Sequence, residues 1–440
     1  MGAESGEWAR KGGDMISQVR ALGFTEWGLL RALPRSARFL LGTSTLFAFA
    51  APVISVFIAA YIMRNSQDVV KVMAFQLASY TSVPFTFYLN GLLLRRFRAA
   101  ALYAFGLVVS GAALLVMTSL TTLSMTGVVL AGLVMGTATG FHWANRSQLA
   151  LAHTHDGYRN YYFGLESVVY CLSSVTMPAA VGAFIAWSSR ADGLGLGSRT
   201  AYRLVAAGVV AAALCASAVV LRGGFGKIPS PLRVRLRYDR VWCGMMALAA
   251  LKGVVQVFQS AVPAMLVMHV LGEGERALGL VQSGGALLAA VLMYLIGRNT
   301  RPEHRLTVLA AALTINLLGT ACNAVWFNPP AVLAFLVCLL VAQPMLELAY
   351  SPIQLQVMDR VTLRQKDSGY AYFCGHELGL YAGRLVGAGA FILVACGLSD
   401  TLALRYVLAA VAAVQLLSFP IARAILRKMS EEKFISALVH

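Results

Sequence analysis

Charge is what this sequence has least of. Asp, Glu, Lys and Arg make up 12% of its 440 residues, about half their share in a soluble domain. Acidic residues are the scarcest, 19 against 36 basic ones. None of the seven cysteines (171, 215, 243, 322, 338, 374 and 396) belongs to a CxxC pair, and each falls within an apolar run. Buried cysteine behaves as a small hydrophobe, so neither a disulfide framework nor a metal site is indicated. There is no GxSxG, HExxH, P-loop or dinucleotide fingerprint in the structural context such chemistry requires. These absences argue against an enzyme, a bound cofactor and a built-in ATPase.

Apolar residues are present in excess. They form 58% of the chain, with a mean hydropathy of +0.70. No water-solvated fold could hide that much apolar surface, so the chain reads as a polytopic membrane protein. A membrane-spanning helix needs about 20 mostly apolar residues. That ruler gives twelve spans, near 39–63, 72–94, 99–120, 123–147, 161–187, 201–221, 241–270, 277–297, 305–326, 330–357, 369–397 and 402–424. The two long connections are 188–200, rich in Gly and Ser, and 222–240. The second divides the spans into six and six.

The basic excess follows the topology. With both termini in the cytoplasm, inward segments hold 27 Lys and Arg and outward loops hold 7. Cytoplasmic loops collect basic residues, so the net charge of +17 needs no nucleic-acid partner. Five regions are expected: an arm at 1–37, a six-helix bundle at 38–222, a basic linker at 223–239, a second bundle at 240–425 and a tail at 426–440. In the arm, Ile16, Val19, Leu22, Leu29, Leu30 and Leu33 alternate with arginines as short amphipathic pieces on the membrane surface. No cleavable signal peptide is legible there.

Two equal six-span units joined by a basic loop are a common transporter plan. The loop after span 2 reads Gly91-Leu92-Leu93-Leu94-Arg95-Arg96-Phe97-Arg98, and its counterpart after span 8 reads Gly297-Arg298-Asn299-Thr300-Arg301. In topology and in these loops the chain resembles the major facilitator superfamily. That family's loop is Gly-x-Leu-x-Asp-Arg-x-Gly-Arg-Arg; here Arg95 replaces its Asp and Arg98 its second Gly. An aromatic run followed by Gly and then Glu opens span 5 (Tyr161-Tyr162-Phe163-Gly164-Leu165-Glu166). It recurs at span 11 (Tyr370-Ala371-Tyr372-Phe373-Cys374-Gly375-His376-Glu377), one residue out of register. This reads as the trace of an internal repeat. The resemblance implies an all-α fold of two pseudo-symmetric six-helix bundles and alternating-access transport, here in a bacterial inner membrane.

Ionisable residues inside spans are costly and mark candidate function. Lys252, Gln256 and Gln259 form a polar stripe at i, i+4 and i+7 of span 7, which suits a cavity wall. Glu347 lies deep in span 10. Glu377 and Arg384 lie two turns apart on one face of span 11. Desolvation favours the neutral form of such a Glu and a neighbouring guanidinium favours the charged form, so Glu377 and Glu347 are candidate proton carriers. Arg384 suits an anionic group on a solute, which a guanidinium grips with two hydrogen bonds. At the inner mouth, Arg146 with Glu166 and Asp156 with Arg159 are placed to pair as a gate, and His142 stands at the same level as a candidate pore residue. The expectation is a proton-coupled carrier of a small organic solute. The degenerate loop after span 2 also admits a non-transporting scaffold, sensor or assembly factor.

Overall fold

The computed structural model describes residues 30–31, 33–120, 122–153, 156–189, 193–227, 239–299, 304–365 and 369–439. Most of the amphipathic arm and of the basic linker lies outside them. Everything regular among the described residues is helical. In chain order the long helices are α1 (Arg35–Ser66), α2 (Val69–Leu93), α3 (Ala99–Ser119), α4 (Met125–His153), α5 (Asp156–Ser188) and α6 (Ser198–Arg222). They continue with α7 (Arg240–Gln259), α8 (Glu275–Asn299), α9 (Arg305–Trp326), α10 (Pro329–Gln365) and α11 (Gly369–Gly397). The twelfth path runs Asp400–Leu402, a π-helical turn Ala403–Val407, α12 (Leu408–Gln415) and α13 (Ser418–Val439).

Among the described residues, eleven helices are long and apolar enough to cross a membrane. The twelfth expected span, α2, runs 25 residues but falls short on hydropathy. Its Gln76, Ser82, Thr86 and Asn90 lower the average, and all four are buried against other helices. Polar residues that meet protein rather than lipid are tolerated at membrane depth.

Several helices outrun the apolar segments that announce them. The helix α10 has 37 residues where the sequence pattern gives a span at 330–357, because helical hydrogen bonding continues where hydropathy ends. The opposite happens in α7. The ring of Pro263 removes a helix donor, and the helix breaks after Gln259, resuming as Val262–Met265 and a π-helical turn at Leu266–Val270. Such turns relieve a helix whose regular ladder is interrupted.

Neighbours pack in a definite order. Within the first six helices α2 and α3 pack on α4, α6 packs on α3 and α1, and α5 packs on α1. Within the rest, α9 and α8 pack on α10, while α11 and α13 pack on α7. Contacts between the two sets run α2 to α11, α5 to α8, and α1 to the broken end of α7.

Two of these packings depend on glycine stripes. A Cβ on Gly136 of α4 would collide with the backbone of Ser79 in α2, and one on Gly383 of α11 with the carbonyl of Ala250 in α7. Gly132 and Gly140, and likewise Gly379 and Gly387, repeat the close contact one turn away on either side. Small residues at every fourth position let two backbones approach, which is a main source of helix association in lipid.

Candidate solute and coupling site

The site is assembled on α7. Asp239 caps that helix by accepting from the Trp242 amide at 2.7 Å, and Arg360 of α10 holds the same carboxylate at 2.5 Å. An anion at a helix N-terminus meets unsatisfied amides and the positive end of the dipole. The register of the polar stripe is thereby tied to α10.

The three residues of the stripe diverge. Lys252 Nζ lies 2.6 Å from Glu347 Oε1 and 4.1 Å from the centre of the Tyr350 ring, a cation–π contact. Gln259 lines the same cleft with Gln343, Tyr350, Gln415 and Ser418. The cleft is open on one side and leaves about 30 Å³ of free volume. Gln256 turns instead to α11. Its Oε1 accepts from Arg384 Nη2 at 2.7 Å and from Nε at 3.1 Å.

Arg384 is the most enclosed charge of the group, 4% exposed. Its Nη1 reaches Glu377 Oε2 at 3.4 Å, and its guanidinium lies 4.3 Å from the centre of the Tyr80 ring on α2. One side chain therefore touches α7, its own helix and a helix of the first set. The four charges form two pairs: Lys252 takes Glu347, and Arg384 takes Glu377 with Gln256. Tyr350 lies between the pairs, its hydroxyl 2.6 Å from His376 Nε2, while Gln354 approaches His376 Nδ1 at 3.5 Å.

Elsewhere, Arg146 and Glu166 meet in a two-bonded ion pair, Nε to Oε1 at 3.0 Å and Nη2 to Oε2 closer still. It joins α4 to α5, so it acts within the first six helices rather than across to the others. The side chains of Asp156 and Arg159 lie outside the described residues. His142, expected beside the solute path, is not among the residues lining the Lys252 cleft. It is 3% exposed, with Phe47, Tyr103 and Trp143 rings 4.5, 5.2 and 5.1 Å away. Among the described residues neither ring nitrogen meets a hydrogen-bond partner, so its contacts are those with the surrounding rings.

Sequence reasoning passed over Tyr80, Tyr350, His376, Asn90 and Tyr370. Asn90 takes one hydrogen bond from Asn145 of α4 at 2.7 Å and gives one to Tyr370 of α11 at 3.2 Å, and Tyr370 donates to the Phe87 carbonyl at 2.6 Å. That network closes α2 onto α11 at the end where Arg95, Arg96 and Arg98 stand exposed. His376 carried a signal, its place beside Glu377. Tyr80 carried none, since an aromatic in an apolar run is ordinarily packing.

No family profile matches the chain, and no curated protein is similar to it in sequence. Solved structures are similar in fold. One is a bacterial homologue of the iron transporter ferroportin in an inward-facing state, with TM-score 0.64 and 16% identity, covering 89% of this chain and 98% of that one. Another is a POT family transporter in complex with a thioalcohol-conjugated peptide, with TM-score 0.66 and 12% identity over 90% and 99% of the two chains. A third is a POT family transporter in complex with 5-aminolevulinic acid, with TM-score 0.66 and 12% identity over 89% and 97%. These are transporters of the major facilitator fold, not enzymes. This chain has that fold and is an integral membrane protein.

Proposed function

We propose that this protein is a secondary active transporter that moves a small organic anion by alternating access, coupled to protons. The observation that carries the reading is Arg384: an enclosed guanidinium at the junction of the two helix sets, held by neutral Gln256, by Glu377 and by an aromatic face. A guanidinium so held gives up a weak partner to a solute carboxylate at low cost. Residues 38–222 and 240–425 form the two pseudo-symmetric bundles, joined by the linker at 223–239 and flanked by a cytoplasmic arm and tail. The packing order is compatible with this division: each set packs on itself, and the strongest contacts between the sets are α5 with α8, α2 with α11, and α1 with the broken end of α7.

Lys252, Gln256, Gln259 and Arg384 bind the solute, and Glu377 and Glu347 are the proton carriers. Protonating Glu377 removes its charge from Arg384 and frees that cation for the solute, which ties the two events together. The basic loops put the termini and the linker in the cytoplasm of a bacterial inner membrane. The Asn90–Tyr370 network, which ties α2 to α11, is the inner gate, and the Arg146–Glu166 pair braces α4 against α5 within the first bundle.

The test is uptake of radiolabelled small carboxylates into proteoliposomes, with and without an inward proton gradient. The reading expects accumulation under the gradient that Arg384→Gln abolishes. Uptake that ignores both the gradient and Arg384 would overturn it.

A further inference from the structure

The turn between α2 and α3, Arg95-Arg96-Phe97-Arg98, takes no part in the solute path. Helix α2 ends at Leu93 and α3 begins at Ala99. The amides of Arg95, Arg96 and Phe97 close the turn by donating to the Leu92 and Leu93 carbonyls, and Leu94 is buried beneath it. Arg95, Arg96, Phe97 and Arg98 are all exposed.

Nothing in the protein balances this charge. Among the described residues, no ion pair or hydrogen bond engages the side chain of Arg95, Arg96 or Arg98. Other arginines have carboxylates, Arg360 with Asp239 and Arg427 with Glu431. No Asp or Glu occurs in the sequence between Asp68 and Asp156, so α2, α3 and α4 bring no acid to the turn. Three like charges in four positions repel one another, and Phe97, 51% exposed, adds an apolar ring among them. In water both features are unfavourable. At a bilayer surface both are favourable, because guanidiniums meet phosphates and the ring enters the layer beneath.

The flanking helices supply the rest of such a contact. On α2 the face turned away from α4 and α11 exposes Phe85, Tyr88 and Leu89. On α3 Phe105 and Val108 are exposed. Arg95 follows Leu89 by six positions and Arg98 precedes Phe105 by seven. At about 1.5 Å per residue the arginines therefore stand roughly 9–10 Å beyond these apolar stripes. The polar layer of one leaflet is about 5–8 Å deep. With the stripes in hydrocarbon, the charges are at headgroup height.

We infer that this turn is a docking surface for an anionic phospholipid. The phosphodiester accepts from Arg95, Arg96 and Arg98, Phe97 lies among the glycerol and upper acyl groups, and the acyl chains run along the exposed stripes. A guanidinium pairs with phosphate through two hydrogen bonds, which gives the contact geometry as well as charge. A zwitterionic headgroup brings its own cation toward the three arginines and is the poorer ligand. The inference is independent of the solute and of proton coupling.

The experiment uses the purified full-length protein in detergent, with dioleoyl phosphatidylglycerol as the probe and dioleoyl phosphatidylcholine as the control. Bound lipid is counted by native mass spectrometry, and stability is read by thermal unfolding. Phosphatidylglycerol should bind more tightly than phosphatidylcholine and raise the unfolding temperature above it. The triple change Arg95→Gln, Arg96→Gln and Arg98→Gln should weaken phosphatidylglycerol binding on the order of 100-fold, about fivefold per basic residue at a membrane surface. Its unfolding in phosphatidylcholine should stay level or rise, since the three side chains have no internal partner to lose. Arg96→Gln alone should weaken binding about fivefold by the same measure. The matched change Arg222→Gln, Lys227→Gln and Arg423→Gln removes equal charge from other exposed positions and should keep most of the binding. Equal loss in the two triple variants means general attraction to basic surface and overturns the site. Equal stabilisation by water-soluble glycerol phosphate means an anion patch without a lipid track and overturns it too, as does no preference for phosphatidylglycerol over phosphatidylcholine.

Discussion

Residues that look alike in sequence differ sharply in what removing them should do. Lys252 and Glu347 form a close pair, but their side chains are 20% and 44% exposed. Solvated pairs of that kind contribute about 0–1 kcal/mol, so the pair can open to admit a solute. Arg384 is different. Its side chain is 5% exposed, and removing one member of a desolvated pair costs about 3–5 kcal/mol. Arg384→Ala should therefore lower the unfolding temperature clearly in detergent, while Lys252→Ala should leave it nearly unchanged; scanning fluorimetry of both checks this. Glu377→Gln separates coupling from binding. It should abolish proton-driven accumulation yet preserve solute exchange across the membrane, because exchange needs no net proton movement. If full accumulation under a pH gradient survives in Glu377→Gln proteoliposomes, Glu347 inherits the role.

Helices meet here through contacts that polarity alone does not reveal. Along α11, Gly379, Gly383 and Gly387 face α7, the helix whose Gln256 must reach Arg384. A side chain at Gly383 would press on the Ala250 carbonyl and push α11 outward. Overpacking of this kind costs about 1–3 kcal/mol. Gly383→Val should thus lower thermal stability and also weaken solute binding, because the 2.7 Å contact between Gln256 and Arg384 spans that seam. Gly389→Val is the matched control, since nothing lies within 4 Å of a Cβ there. Equal stability of the two variants in a melting experiment would show that the stripe is not what holds α11 to α7.

For the whole molecule, the question is which seams open. At the end bearing Arg95 and Arg96, α2 and α11 are held by Tyr370, which donates to Phe87 and accepts from Asn90. At the other end Gln76 donates to Ser260 at 2.9 Å, and Glu275 lies 3.3 Å from the Tyr202 hydroxyl and 3.7 Å from Arg64. Tyr370→Phe removes two hydrogen bonds, each worth about 0.5–1.5 kcal/mol net. It should shift the population toward opening at the basic end by roughly 5- to 150-fold. Val83, 5% exposed beside Tyr370, is the reporter: a cysteine there should react faster with thiol reagents in the Tyr370→Phe background. The side on which that end lies follows from the basic loops. In a background without the native cysteines, Leu194→Cys and Ser230→Cys should label from opposite faces of the membrane. Labelling of both by one impermeant external reagent would refute the assignment.

Hydropathy and charge depend on residues one at a time, so they can be read without a fold. Membrane residence, the number and approximate places of the helices, and the list of costly residues Lys252, Glu347, Glu377 and Arg384 all follow from such local sums. The span at 72–94 is legible as well, although α2 scores low on a running average that cannot see its polar residues buried by neighbouring helices. Partnership is another matter. That Gln256 serves Arg384 while Gln259 three residues later faces the cleft depends on how α7 is rotated against α11. That Tyr80 covers Arg384 depends on a contact between helices some 300 positions apart in the sequence. Rotation and approach are set jointly by the glycine stripes, the caps and every packed side chain. They belong to the tertiary structure because no single stretch of sequence contains both sides of a contact.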